Sequence, residues 1–100
     1  MSPKLRFDRQ KIAELCRRYG VAELALFGSV LRDDFRADSD VDILVSFGTE
    51  VHPSLLELVE LREDLKDIFG REVDLVERAG LRNPFRRRAI LSTAEVVYAS

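Results

Sequence analysis

The sequence predicts an α/β (α+β) fold, a mixed β-sheet with flanking helices, with residues 1–100 forming one domain. Two observations carry this expectation. Short apolar runs with two-residue alternation recur between stretches of helical periodicity, and turn residues punctuate the chain at short intervals with no repeat, low-complexity tract or linker. Composition agrees: 46% hydrophobic and 34% charged residues supply one core and show too little bias for an intrinsically disordered chain.

Asp8 can cap a helix from Arg9 to Tyr19, because Ile12, Leu15, Cys16 and Tyr19 share one face and Gly20 supplies a stop. Phe7 precedes the cap and can staple onto Ile12. Val21 to Phe27 is a mostly apolar run ending at Gly28, too short for a helix and suited to a strand buried on both faces. After the turn-like Asp38 to Asp40, the next strand, Val41 to Phe47, sets Val41, Ile43, Val45 and Phe47 on one side and Asp42, Leu44 and Ser46 on the other. Pro53 opens a helix to about Phe69, with Leu55, Leu58, Leu61, Leu65 and Ile68 inward and Gly70 as terminator. Glu72 to Val76 reads as a third strand, Asn83-Pro84 as cap and first residue of a helix to about Ser92, and Glu95 to Ala99 as a final strand.

The second and third strands are joined by a helical crossover and are expected parallel; the first and second, only thirteen residues apart, are expected antiparallel. The end of the first strand and the beginnings of the second and third then meet at one edge.

Eighteen acidic and sixteen basic residues give a net charge of −2, which argues against nucleic-acid binding by total positive charge. No apolar run approaches the roughly 18 residues that span a bilayer, and Met1 to Gln10 lacks the apolar core of a signal peptide, so no membrane association and a cytoplasmic location are expected. A single cysteine, Cys16, and a single histidine, His52, exclude an intrachain disulfide and a thiolate or histidine metal centre.

The chemistry concentrates between Gly28 and Asp42. Asp40 and Asp42 are two apart at a strand start, so the pleat points both carboxylates to one side, about 7 Å apart at the backbone. Five acids against one base from Asp33 to Asp42 repel one another, a repulsion that bound Mg²⁺ relieves. Asp74, between Val73 and Leu75, interrupts an apolar run where its carboxylate can face Asp42. Gly28-Ser29 follows the first strand and can start a short helix at Val30 to Arg32, where glycine admits a ligand close to the backbone and amides and the Ser29 hydroxyl can accept a phosphate. A cation end and an anion end are the parts needed to move a nucleotidyl group from a triphosphate to a hydroxyl.

Gly-Ser, ten residues, Asp-x-Asp and a later strand Asp resemble the DNA polymerase β-like nucleotidyltransferase superfamily. Gly28-Ser29-x-x-Arg32 and Ser39-Asp40-Val41-Asp42-Ile43-Leu44-Val45 look like its minimal branch, the MNT proteins, over Val21 to Tyr98. The chain departs from that pattern at Asp33, where the family commonly has glycine. The resemblance implies the polymerase β-like nucleotidyltransferase fold. It implies Gly28 and Ser29 as the residues that hold the triphosphate, Asp40, Asp42 and Asp74 as metal ligands for Mg²⁺, expected as two ions, and Asp74 as the group that positions or deprotonates the acceptor hydroxyl; Arg32 is expected with the nucleotide-binding residues, the other reading of it being a salt-bridge partner of Asp33 to Asp38. ATP would be the substrate. The implied setting is a toxin–antitoxin pair in which the MNT protein neutralises a HEPN-domain ribonuclease by adenylylating a tyrosine.

Other readings stay open on the residues alone. The chain can inhibit its partner by occlusion without catalysis, or adenylylate an aminoglycoside-like small molecule. Arg78, Arg82, Arg86, Arg87 and Arg88 form a window without an acid, either a solvated helix face or a grip for ATP or for an acidic or RNA-bearing partner. Phe85 has no aromatic neighbour there, so direct nucleic-acid binding is not expected. Cys16 reads as core and His52 as an inert loop residue, and any exposed part of the leucine stripe is available for a homo- or hetero-oligomer contact.

Overall fold

The computed structural model describes residues 7–28 and 40–100. Helix α1 (Arg9–Tyr19) starts where the Asp8 carboxylate accepts the Gln10 and Lys11 amides at 2.9 and 3.3 Å, and ends at Gly20, whose φ of 73° only glycine adopts without strain. Phe7 packs against the core with its ring 5.0 Å from that of Phe69, which fixes the chain's entry into the helix. Strand β1 (Val21–Phe27) follows at once and pairs antiparallel with β2 (Val41–Phe47), both with the expected bounds.

Helix α2 (Leu55–Phe69) begins later than expected. Ser54 and Glu57 form a capping box, the Ser54 hydroxyl accepting the Glu57 amide and the Glu57 carboxylate accepting the Ser54 amide, so Pro53 lies before the cap and does not open the helix. Leu55, expected inward, is 79% exposed. It is the first helical residue, one turn ahead of Leu58, where the inward stripe begins to be covered; Leu61, Leu65 and Phe69 complete that stripe.

Strand β3 (Val73–Glu77) runs parallel to β2, one residue later than expected, although the Glu72 carbonyl still accepts the Val41 amide at 2.9 Å. A 3₁₀ turn at Arg78–Gly80 leads to α3 (Pro84–Thr93), capped by the Asn83 side chain, which accepts the Phe85 and Arg86 amides. Strand β4 (Glu95–Ala99) pairs antiparallel with β1, giving the order β3-β2-β1-β4.

Strand alternation separates two cores. On one face Leu24, Leu26, Val41, Ile43, Val45, Val73 and Val97 meet Ile12, Leu15 and Cys16 of α1 and Leu61, Leu65 and Phe69 of α2. On the other, Ala25, Phe27 and Leu44 meet Leu81 and Ile90 of α3. The Tyr19 hydroxyl donates to Asp64 at 2.8 Å and ties α1 to α2. Among the described residues, no helix is long and apolar enough to cross a membrane.

Candidate active site

The pairing register assembles the expected edge. Phe27, the last residue of β1, stands opposite Asp42, and Asp42 stands opposite Asp74 on the parallel β3. Paired residues project to the same face, so Asp42 and Asp74 are neighbours on the side that carries α3, with Asp40 one pleat repeat upstream of Asp42. Asp42 is half-buried; Asp40 and Asp74 are exposed.

Gly28 joins the two motifs. Its φ is 75°, and a Cβ placed on it would overlap the Asp42 carboxylate. Two separate requirements therefore select glycine here: the left-handed backbone and the close approach of the acid. The sequence pointed to Gly28 for its approach to a ligand; the contact with Asp42 was not legible there, because it depends on the β1–β2 register. Ser29 and Arg32 lie outside the described residues, as do Asp33, Asp34, Asp38 and the short helix expected at 30–32.

Among the described residues, no three His, Cys, Asp or Glu side chains stand close enough together to hold a metal ion. Register brings Asp42 and Asp74 side by side and leaves Asp40 at the entrance of β2. The chemistry of this donor set fits Mg²⁺, which takes oxygen ligands and is commonly held by one or two carboxylates with substrate phosphates completing its shell.

The remaining reactive groups serve structure. Burial pushes the Cys16 thiol up to about 12, against a smaller opposing effect of Arg17, so it is no nucleophile at neutral pH. Burial, with the hydrogen bond to Asp64, pushes the Tyr19 phenol up to about 12. The Lys66 ammonium is raised first by its hydrogen bond to Glu72, with Glu63 adding to it, the pairs measuring 3.3 and 3.4 Å. His52 is exposed in the loop before α2.

A sheet of this order, with a glycine turn seated on the second strand's acid and a third acid on the parallel neighbour, defines a nucleotidyltransferase. Residues 9–97 match the nucleotidyltransferase domain family, and the chain belongs to that family and to its minimal branch. It is 45% identical over 85 residues to the protein adenylyltransferase MntA of Thermococcus cleftensis, covering 85% of this chain and 81% of that protein. A solved structure named among minimal nucleotidyltransferases superposes with a TM-score of 0.71 at 37% identity, over 87% of this chain and 86% of that one. The MNT antitoxin fold is also seen in a Shewanella oneidensis complex of a tri-AMPylated HEPN toxin with its MNT antitoxin; the TM-score is 0.62, with 23% identity and coverage of 92% and 70%. The expected fold and enzyme class are thereby established.

Proposed function

We propose that this chain transfers AMP from ATP to a tyrosine hydroxyl of a HEPN-domain ribonuclease and so acts as its antitoxin. The observation that carries the reading is the seat of Gly28 on Asp42 at the register where Asp74 joins, which couples the phosphate turn to the acids. The 45% identity to a protein adenylyltransferase supports AMP as the group and protein as the acceptor, and the tri-AMPylated HEPN toxin bound to an MNT protein supports the partner.

Asp40 and Asp42 would hold Mg²⁺ together with the substrate phosphates, and Asp74, beside Asp42 in the register, is left to the acceptor hydroxyl. An ion bound there would supply positive charge against that of the triphosphate and of the leaving group. The rest falls to the chain. The backbone after Gly28, with Ser29 and Arg32, holds the phosphates so that the α-phosphorus faces the acceptor. Asp74 orients the acceptor hydroxyl and takes its proton as the oxygen attacks; the new bond is O–P, the bond broken is that to pyrophosphate, which leaves. Asp42, held against the Gly28 turn, keeps the two halves in register.

The test is label transfer. The purified chain is incubated with ATP labelled at the α-phosphate, Mg²⁺ and a HEPN-domain protein of the same genome, beside Asp42→Ala. Label on a tyrosine of that protein, lost in Asp42→Ala, supports the reading. Tight binding and neutralisation unchanged by Asp42→Ala, with no label, favours occlusion, a reading supported by the Shewanella toxin being found in complex with its antitoxin. Label on an aminoglycoside without any protein partner would overturn both.

A further inference from the structure

Helix α3 displays a surface that the proposed chemistry leaves unused. Arg82, Arg86, Arg87 and Arg88 are exposed, as is Phe85 at 84%, and Arg78 lies half-buried in the turn before them. Among the described residues, none of the five forms an ion pair. Local stability does not account for them: the first turn of α3 holds no acid, and positive charge near a helix N-terminus opposes the macrodipole.

Their position is informative. Ile90 of α3 packs in one cluster with Phe27 and Leu44, the residues that flank Asp42 across and along the sheet, so α3 covers the face that carries Asp42 and Asp74. The acids lie at the strand starts, however, while α3 begins beyond the end of β3 and runs back toward Glu95, which pairs with Leu26. Arg82 therefore stands at the end of α3 away from the acidic edge and Arg86, Arg87 and Arg88 follow along its first half, a row suited to a chain that lies along α3 and ends at the acids.

We propose that this arginine and phenylalanine surface of α3 is the dock for an acidic segment of the acceptor protein, holding it so that its hydroxyl reaches the Asp42–Asp74 edge. The proposal rests on the reading of the chain as a protein adenylyltransferase. Guanidinium groups pair bidentately with Asp and Glu, and an exposed aromatic with an arginine three residues on, Phe85 and Arg88, has the composition of a protein-binding hot spot. A polynucleotide is the poorer fit, because a lone ring offers no platform for successive bases and the chain as a whole carries −2. The dock also supplies what the site lacks: acids at the edge repel an acidic acceptor, and the arginines offset that repulsion at a distance from the reacting atoms.

The test separates docking from chemistry. The probe is a fluorescein-labelled random copolymer of glutamate and tyrosine, with a lysine–tyrosine copolymer as control, followed by anisotropy and by AMP transfer. The variants are Arg82→Glu/Arg86→Glu/Arg88→Glu together, and Phe85→Ala; acids near the start of α3 suit the helix, and circular dichroism confirms folding. Charge reversal should weaken the acidic copolymer's binding and raise its KM about tenfold or more, leaving kcat and the KM for ATP within about twofold. Phe85→Ala should weaken binding less. Binding unchanged by reversal overturns the proposal, as does a rise in the KM for ATP alone, which would make the patch a nucleotide guide. Tighter, arginine-dependent binding of an oligouridylate overturns it in favour of nucleic acid. Arginine-dependent binding of the copolymer without any AMP transfer would uphold the dock while counting against the adenylyltransferase reading.

Discussion

The two faces of the sheet solve different problems. The face under α1 and α2 buries Leu24, Leu26, Ile43 and Val45 against two helices, with its strand acids, Glu77 beside Val45 and Glu95 beside Leu26, only partly buried at the ends of edge strands. The face under α3 buries only Ala25, Phe27 and Leu44, and its β2 and β3 residues beyond that cluster include Asp42 and Asp74. One helix covers what two cover opposite. Stability thus resides mainly on the first face, and the second is left open at the edge where chemistry needs access.

Substitutions on either side should separate cleanly. Asp42→Ala is expected to lower AMP transfer by on the order of 10²–10³-fold or more, since it removes a group that acts on developing charge. Its melting temperature should hold or rise, because a like charge beside Asp74 is gone. Leu65→Ala, on the fully buried stripe of α2, should cost about 3 kcal/mol in denaturant unfolding while the folded fraction keeps its activity. A loss of fold in Asp42→Ala, or of chemistry alone in Leu65→Ala, would erase the contrast.

The strands and the meeting of the acids were legible in the sequence; the division of the helices between the two faces was not, because it depends on which side of the sheet each connection crosses. Val21–Phe27 and Val41–Phe47 stand with their expected bounds because an apolar run in the first and apolar alternation in the second are each closed off by turn residues. The meeting of Asp42 with Asp74 followed from the crossover rule, which makes β2 and β3 parallel. The place of β4 beside β1 was not legible, since no local pattern says which edge a terminal strand joins. The start of α2 was misplaced although Ser54 and Glu57 carry the capping spacing, because Pro53 offered a competing start. Leu55 shows the limit of periodicity: it marks a face but not where the cover over that face begins.

Gly28→Ala tests the joint between the faces. The left-handed backbone alone costs about 1–2 kcal/mol for a residue with a Cβ, and the added methyl must displace the Asp42 carboxylate. Stability should fall moderately and transfer with it, read as parallel losses in denaturant titration and label transfer. A variant with reduced stability but wild-type transfer would show that Asp42 need not rest on the turn.

Alkaline titration should reach the α1–α2 face. Cys16 is raised from 9.0 to about 12 and Tyr19 from 10.0 to about 12, so between those values the unfolded chain has released protons that the folded chain retains. Stability is then fully present below pH about 9 and falls as pH rises toward 12. Tyr19→Phe should remove part of that dependence, measured as the slope of unfolding free energy against pH. Cys16 should resist alkylation in the folded protein and react once denatured.

The smallest effects belong to the start of α2, where capping and exposure act on adjacent residues. Ser54→Ala removes the hydroxyl that accepts the Glu57 amide and should cost about 1 kcal/mol. Leu55→Ala removes a larger side chain, yet at 79% exposure it should change monomer stability by no more than about 0.5 kcal/mol. Chemical denaturation of both variants decides the order. A larger cost for Leu55→Ala, growing with protein concentration, would mean that Leu55, with the exposed Leu56 and Val59, is covered by another copy of the chain in solution.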